Sequence, residues 1–199
     1  MRLSLSQRIN LFAIITMLAI AVLLLANPSQ TRSGCPLVET TSTEDAQVFL
    51  MGTIGGDHSD PQRDCWREYT VQPVLEELNV TYFNPVVSNW TEENAEIEAR
   101  AIANAETIVL VITDNHPSIG SLAESGGAVL SSIERHQTII IFIADKSDDD
   151  DSQRARHIVL SQARTLADEL DNVFLAESLD AVNAVIRQTY GDYTTQHRQ

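Results

Sequence analysis

The chain has 199 residues, of which 43% are hydrophobic, with 8 Gly, 6 Pro and a formal charge of −15 from 13 Lys+Arg against 28 Asp+Glu. That composition excludes collagenous and disordered classes. The charges cancel up to Asp45, where Arg2, Arg8 and Arg32 balance Glu39, Glu44 and Asp45, so everything beyond carries the whole −15. So acidic a surface repels phosphate backbones and argues against a nucleic-acid partner. Two cysteines are too few for a disulfide scaffold, and Cys35 and Cys65 do not form a C-x-x-C pair.

Residues 1–10 are a short basic stretch, and residues 11–26 read LFAIITMLAIAVLLLA, with Thr16 the only polar side chain. The run is at the short end for a span of about 20 apolar residues. Leu24 and Ala26 spoil the obvious signal-peptidase site, and Arg32 disrupts a lipoprotein-like Ser33-Gly34-Cys35, so an uncleaved single-pass anchor is favoured over a cleaved, secreted form. Two arginines precede the segment and one follows closely, which puts the domain outside the cytoplasm. A disulfide between Cys35 and Cys65 requires that export. Residues 27–46 form a linker, 47–190 the domain and 191–199 a tail.

Within the domain, short apolar runs alternate with amphipathic stretches. Strands are expected at Val48–Met51, Val80–Phe83, Thr107–Thr113, Thr138–Ala144 and Val173–Ala176. Helices are expected at Asp64–Leu78, Glu92–Asn104, Leu122–Arg135, Ser152–Leu170 and Leu179–Tyr190, with Thr91 and Ser178 as N-caps. The third and fourth strands are apolar almost without break, as in strands buried on both faces. Five strand–helix repeats predict an α/β, three-layer, doubly wound parallel sheet. Ligands then bind beyond the carboxyl ends of the strands, where strand order reverses.

The first strand exits through G-T-I-G-G-D, Gly52 to Asp57, whose backbone N–H groups suit a phosphate; a plain flexible turn is the alternative. The spacing is not G-x-G-x-x-G, and there is no Walker lysine. The third strand exits through Asp114 to Gly127, where Ser118 or Ser121 could cap the next helix and Glu124 falls in its first turn. The positive helix end would keep that carboxylate ionised, although any glutamate favours such a position. Glu93, Glu96 and Glu98 lie near the same rim, and two carboxylates flanking one bond are the working parts of glycosidic cleavage. The five histidines lack metal-ligand spacing, no serine has a triad histidine, and Asp148 to Asp151 reads as a solvated loop. Trp66-Arg67 is expected to pack a helix on the sheet, with pocket contact the lesser reading.

Three segments in order, V-F-L-M-G-T-I-G-G, F-N-P (Phe83 to Pro85) and P-S-I-G-S-L-A-E-S-G (Pro117 to Gly126), resemble the nucleoside 2-deoxyribosyltransferase-like family, which includes 2′-deoxynucleoside 5′-phosphate N-hydrolases. The resemblance runs from Val48 to about Val129. It implies that Glu124 is the nucleophile and Ser118 the phosphate-contacting serine. It also implies that Glu98, eight residues before Ala105-Glu106, is the base-contacting acid, although the family usually has aspartate there. Gly52, Thr53, Ile54, Gly55, Gly56, Asn84, Ser118 and Gly120 would line the substrate site. Ser125 departs from the aliphatic residue common after the nucleophile, and the first loop lacks the arginine of some hydrolases.

The implied activity is an N-glycosidase or 2-deoxyribosyltransferase acting on a small-molecule nucleoside or nucleotide, with no metal or cofactor and with a homo-oligomer as the assembly. Ser118, where transferases tend to carry an acid, favours a phosphorylated substrate. The alternative is a membrane-tethered nucleotide-sensing module that retains the pocket without turnover.

Overall fold

The computed structural model describes residues 35, 44–54, 65–87, 91–113, 118–147 and 149–196, all within one unit, Ser33–Gln199. The anchor, the basic stretch and most of the linker lie outside the described residues, as do Gly55, Gly56 and the 114–117 segment. Among the described residues no helix is long and apolar enough to cross a membrane.

Five strands, β1 (Val48–Gly52), β2 (Tyr82–Phe83), β3 (Thr107–Ile112), β4 (Thr138–Ile143) and β5 (Val173–Ala176), form one parallel sheet in the order β2-β1-β3-β4-β5. Four helices connect them, α1 (Gln72–Glu77), α2 (Glu92–Asn104), α3 (Ile119–Glu134) and α4 (Asp150–Glu169), and α5 (Leu179–Gln196) follows the last strand. Alternate strand residues face opposite layers, as a period of two requires. Phe49, Met51, Ile108, Leu110, Ile112, Ile139, Ile141 and Ile143 point to one side, where hydrophobics of α2, α3 and α4 such as Ile97, Leu122 and Leu160 cover them. Val48, Leu50, Val109, Val111, Ile140 and Phe142 point to the other, under Trp66, Leu75, Val182 and Ile186 from α1, its lead-in and α5. This is the expected three-layer α/β fold.

Where element bounds depart from expectation, backbone hydrogen bonds give the reason. The helix expected over Asp64–Leu78 opens instead with a π turn, Arg67–Val71, before α1. Pro73 has no N–H to continue a regular ladder, and Gln72 N donates five residues back to the Arg67 carbonyl. β2 is only two residues long because Val80 N is already used. It donates to Leu75 O at 2.9 Å, and Asn79 N to Glu76 O at 3.1 Å, closing α1 with Asn79 at φ 54° in the left-handed position usually given to glycine. The same closure ends α3, with His136 at φ 58° and Gln137 N donating to Ser132 O. Thr91 and Ser178 do stand at helix starts: Asn94 Oδ1 accepts from Thr91 N at 2.7 Å, and Ala181 N donates to Ser178 Oγ at 3.1 Å.

At the β2 edge, Phe83 stacks on Phe49 with ring centroids 5.4 Å apart. Tyr82 donates its hydroxyl to Glu76 Oε1 at 2.9 Å. Burial, then the Glu76 hydrogen bond and nearby Glu76 and Glu68 charges, push the Tyr82 phenol up to about 12. A folded-state value above the unfolded one means that this group favours folding below about pH 10, and that the contribution is lost as pH rises toward 12. Phenolate absorbance on alkaline titration should therefore contain a component near pH 12 that Tyr82→Phe removes; a titration curve unchanged in shape by that substitution would contradict the assignment.

Candidate active site

The strand order reverses between β1 and β3, so the crevice at their carboxyl ends is the expected ligand position. β1 ends on Gly52 at φ +132°, where an added Cβ would stand 1.8 Å from the Val111 carbonyl oxygen. This glycine is demanded by the neighbouring strand, since Thr53 N goes on to donate to that same oxygen at 2.9 Å.

Thr53 joins the two loops. Its Oγ1 accepts from Thr113 N at 3.0 Å, at the end of β3, and shares a 2.8 Å hydrogen bond with Ser118 Oγ. Sixty-five residues separate these two hydroxyls in the chain, and both are buried. Each hydroxyl has one proton and two lone pairs and so can serve more than one partner. Ile54, the next residue, is 54% exposed.

The structure corrects two expectations about the loop after β3. Ser118 stands at the N-cap position in the left-handed region, φ 54°, but its side chain makes no capping bond; the hydroxyl is turned to Thr53. The helix also begins three residues earlier than expected, at Ile119, with Leu122 N donating to Ser118 O at 2.9 Å. Glu124 consequently lies in the second turn of α3, where the field of the helix end has largely fallen away. It is solvent-exposed. Gly120 and Gly127 flank it at the i−4 and i+3 positions of the same face, both exposed, and a Cβ on either would meet nothing within 4 Å. Among the described residues, nothing stands against these two backbone positions on the Glu124 face.

Glu98 is half-buried in the second turn of α2. Its charge acts to raise the Arg67 pKa, opposing the effect of burial. Asn84, leaving β2, is buried and accepts from Val86 N at 3.1 Å through Oδ1, while its Nδ2 donates to Glu68 Oε1 at 3.4 Å. Asn84 thus shapes its own turn.

Trp66-Arg67 was expected to pack a helix on the sheet, and the geometry shows Arg67 turned onto the carbonyls at the end of β1. It is 3% exposed, and its guanidinium lies 4.2 Å from the Trp66 ring centroid. Nη1 donates to the Thr53 carbonyl at 2.6 Å, Nη2 to Gly52 O at 3.0 Å, and Nε and Nη2 both to Leu50 O at 3.4 Å. Trp66 Nε1 donates to the same Thr53 carbonyl at 3.0 Å. Burial draws Arg67 down to about 10, against the opposing pull of Glu68 and Glu98, so it is a cation at neutral pH. The signal in the sequence was an arginine one residue after a tryptophan at a helix start. Nothing in periodicity said that its fork would meet carbonyls fourteen to seventeen residues upstream. Among the described residues, one cluster has metal-ligand spacing, Cys35, Cys65 and Glu68, but its two sulfurs are bonded to each other.

A model of the family described as nucleoside 2-deoxyribosyltransferase like matches residues 45–145, half of the chain. The chain belongs to that family. The matched stretch contains β1 to β4 and every residue proposed above for the site. Family membership supports a glycosyl-transfer or hydrolase kind of function and a nucleoside or nucleotide as the small-molecule substrate. No curated protein and no solved structure matches the chain.

Replacing Arg67 with methionine keeps the apolar stem but strips the Leu50 and Gly52 carbonyls of their guanidinium partner. This should cost about 3 kcal/mol of stability, with Arg67→Lys intermediate because an ammonium is a point donor rather than a fork. Urea unfolding at constant slope measures it; an Arg67→Met midpoint equal to wild type would remove Arg67 from its bracing role.

Proposed function

We propose that the domain cleaves the N-glycosidic bond of a 2′-deoxynucleoside 5′-monophosphate or its nucleoside. Glu124 attacks C1′ as the C1′–base bond breaks, giving a glycosyl ester on the enzyme, and Glu98 assists departure of the base. Water, or a second base, then opens the ester. Such a route divides one difficult displacement into two, each with an oxocarbenium-like transition state. Backbone N–H groups of the Gly52–Gly56 loop, together with the Ser118 hydroxyl, hold the 5′ end.

The observation that carries this reading is the Thr53–Ser118 hydrogen bond across the switch point. It joins the loop that suits a phosphate to the start of the helix bearing Glu124. The glycine-flanked face around Glu124 agrees with it, because glycine inside a helix costs about 1 kcal/mol against alanine and no neighbour requires it there. Room for a sugar ring is a reason to retain it.

The proposal includes a location outside the cytoplasm, with residues 11–26 as an uncleaved anchor. The Cys35–Cys65 disulfide supports it, since such bonds persist in oxidising compartments. That same location favours the second reading, a tethered nucleotide sensor, because its ligands are scarcer there.

Incubating the chain with a panel of 2′-deoxynucleosides and their 5′-monophosphates, and following free base, separates the two. Base release should fall on the order of 10³-fold or more in Glu124→Ala. Saturable binding with no release from any member would overturn the enzyme and leave the sensor. Gly127→Leu should fold as wild type yet lose affinity for the substrate, because its side chain fills the space beside Glu124; unchanged affinity would move the sugar elsewhere.

A further inference from the structure

Four consecutive residues connect the parts of the molecule that meet at the crevice. Cys65 is bonded to Cys35, thirteen positions before β1. Trp66 and Arg67 hold the carbonyls at the end of β1. Glu68 receives Asn84 from the loop leaving β2. The last two open a π-wound turn, Arg67–Val71, a conformation that is rare and found mostly as single turns inside α-helices. Asn183 Nδ2 of α5 donates to the Thr70 carbonyl within this turn at 3.1 Å, and the disulfide fixes Cys65, two residues before it. Cys65 itself is 2% exposed, and its carbonyl accepts from Tyr69 N at 3.0 Å.

We propose that the Cys35–Cys65 disulfide is a positioning link for the ligand crevice. It acts through Trp66 and Arg67. Those side chains draw the Thr53 carbonyl to their own side, and the Thr53–Ile54 peptide is trans and planar, so the Ile54 N–H points the opposite way. Holding Cys65 therefore helps to hold the direction of the Ile54 N–H. The link also closes the chain around all of β1. The inference rests on the function proposed above for what binds, but not for how the link is detected.

The test uses the full chain, oxidised, as Cys35→Ser/Cys65→Ser, and as wild type treated with a dithiol that passes two electrons and two protons to the disulfide and becomes a disulfide itself. Thiol titration of the oxidised protein should find no free cysteine. Amide exchange should quicken about tenfold or more at Thr53 and across Trp66–Val71 in both altered forms while Ile140–Phe142 stays protected. The KM for a deoxynucleoside 5′-monophosphate should rise about tenfold, the equivalent of one lost hydrogen bond, with kcat nearly unchanged. Free thiols in the oxidised chain, or exchange at Thr53 and Trp66–Val71 unaffected by either treatment, overturns the link. If the double variant does not fold, the dithiol-treated wild type carries the same comparison. Quickened exchange in a protein that releases no base from any substrate sustains the link and removes the enzymatic reading; base release with unaltered exchange and KM does the reverse.

Discussion

A buried guanidinium directed at backbone carbonyls governs this structure at its ligand edge. A parallel strand that ends at a switch point leaves carbonyl groups with no further ladder to join, and burying them unpaired is costly. Arg67 answers with a rigid fork of donors on Leu50, Gly52 and Thr53, assisted at Thr53 by the Trp66 indole. The same solution recurs at the exit of β4, where the fully buried Arg156 donates through Nη1 to the carbonyls of Ala144 and Lys146 at 3.1 Å each. Both strand exits are thus shaped from beneath by a cation, while the molecule as a whole is strongly acidic.

The upper side of the first loop is set by hydroxyls. Thr53 Oγ1 sits between Thr113 N and Ser118 Oγ, so the exit of β1 and the start of α3 are one hydrogen-bonded unit. This has a consequence for Ser118. A serine at an N-cap normally satisfies the helix's own N–H groups; here the left-handed backbone turns it to the adjacent loop instead. Part of the capping stabilisation is forgone, and the crevice gains a fixed polar floor. The helix then starts early, and Glu124 sits one turn deeper than its sequence position relative to Ser121 indicated, on a face cleared by Gly120 and Gly127.

Much of the fold was legible because burial on both faces leaves an unmistakable pattern. T-I-V-L-V-I and T-I-I-I-F-I are apolar after a single leading threonine, and each became a strand with its odd and even residues divided between the two layers. Glu92–Asn104 and Val173–Ala176 fall where expected to the residue. Boundaries failed where a tertiary or capping bond competed for one N–H: Val80 was drawn to Leu75, and Gln72 reached back to Arg67 past a proline. Of the site, the order of motifs identified the family, and Gly52 was recognised as special, with the Val111 carbonyl leaving no room there for a side chain.

The sequence by itself determined the layers, the parallel sheet and the family, because periodicity and short motifs are local properties that survive in one dimension. Tertiary structure alone decided that Thr53 meets Ser118 across 65 residues and that Arg67 turns its fork onto β1. Those contacts depend on which strand lies beside which and on the angle at which a side chain leaves a turn, and neither is written in the spacing of residues along the chain.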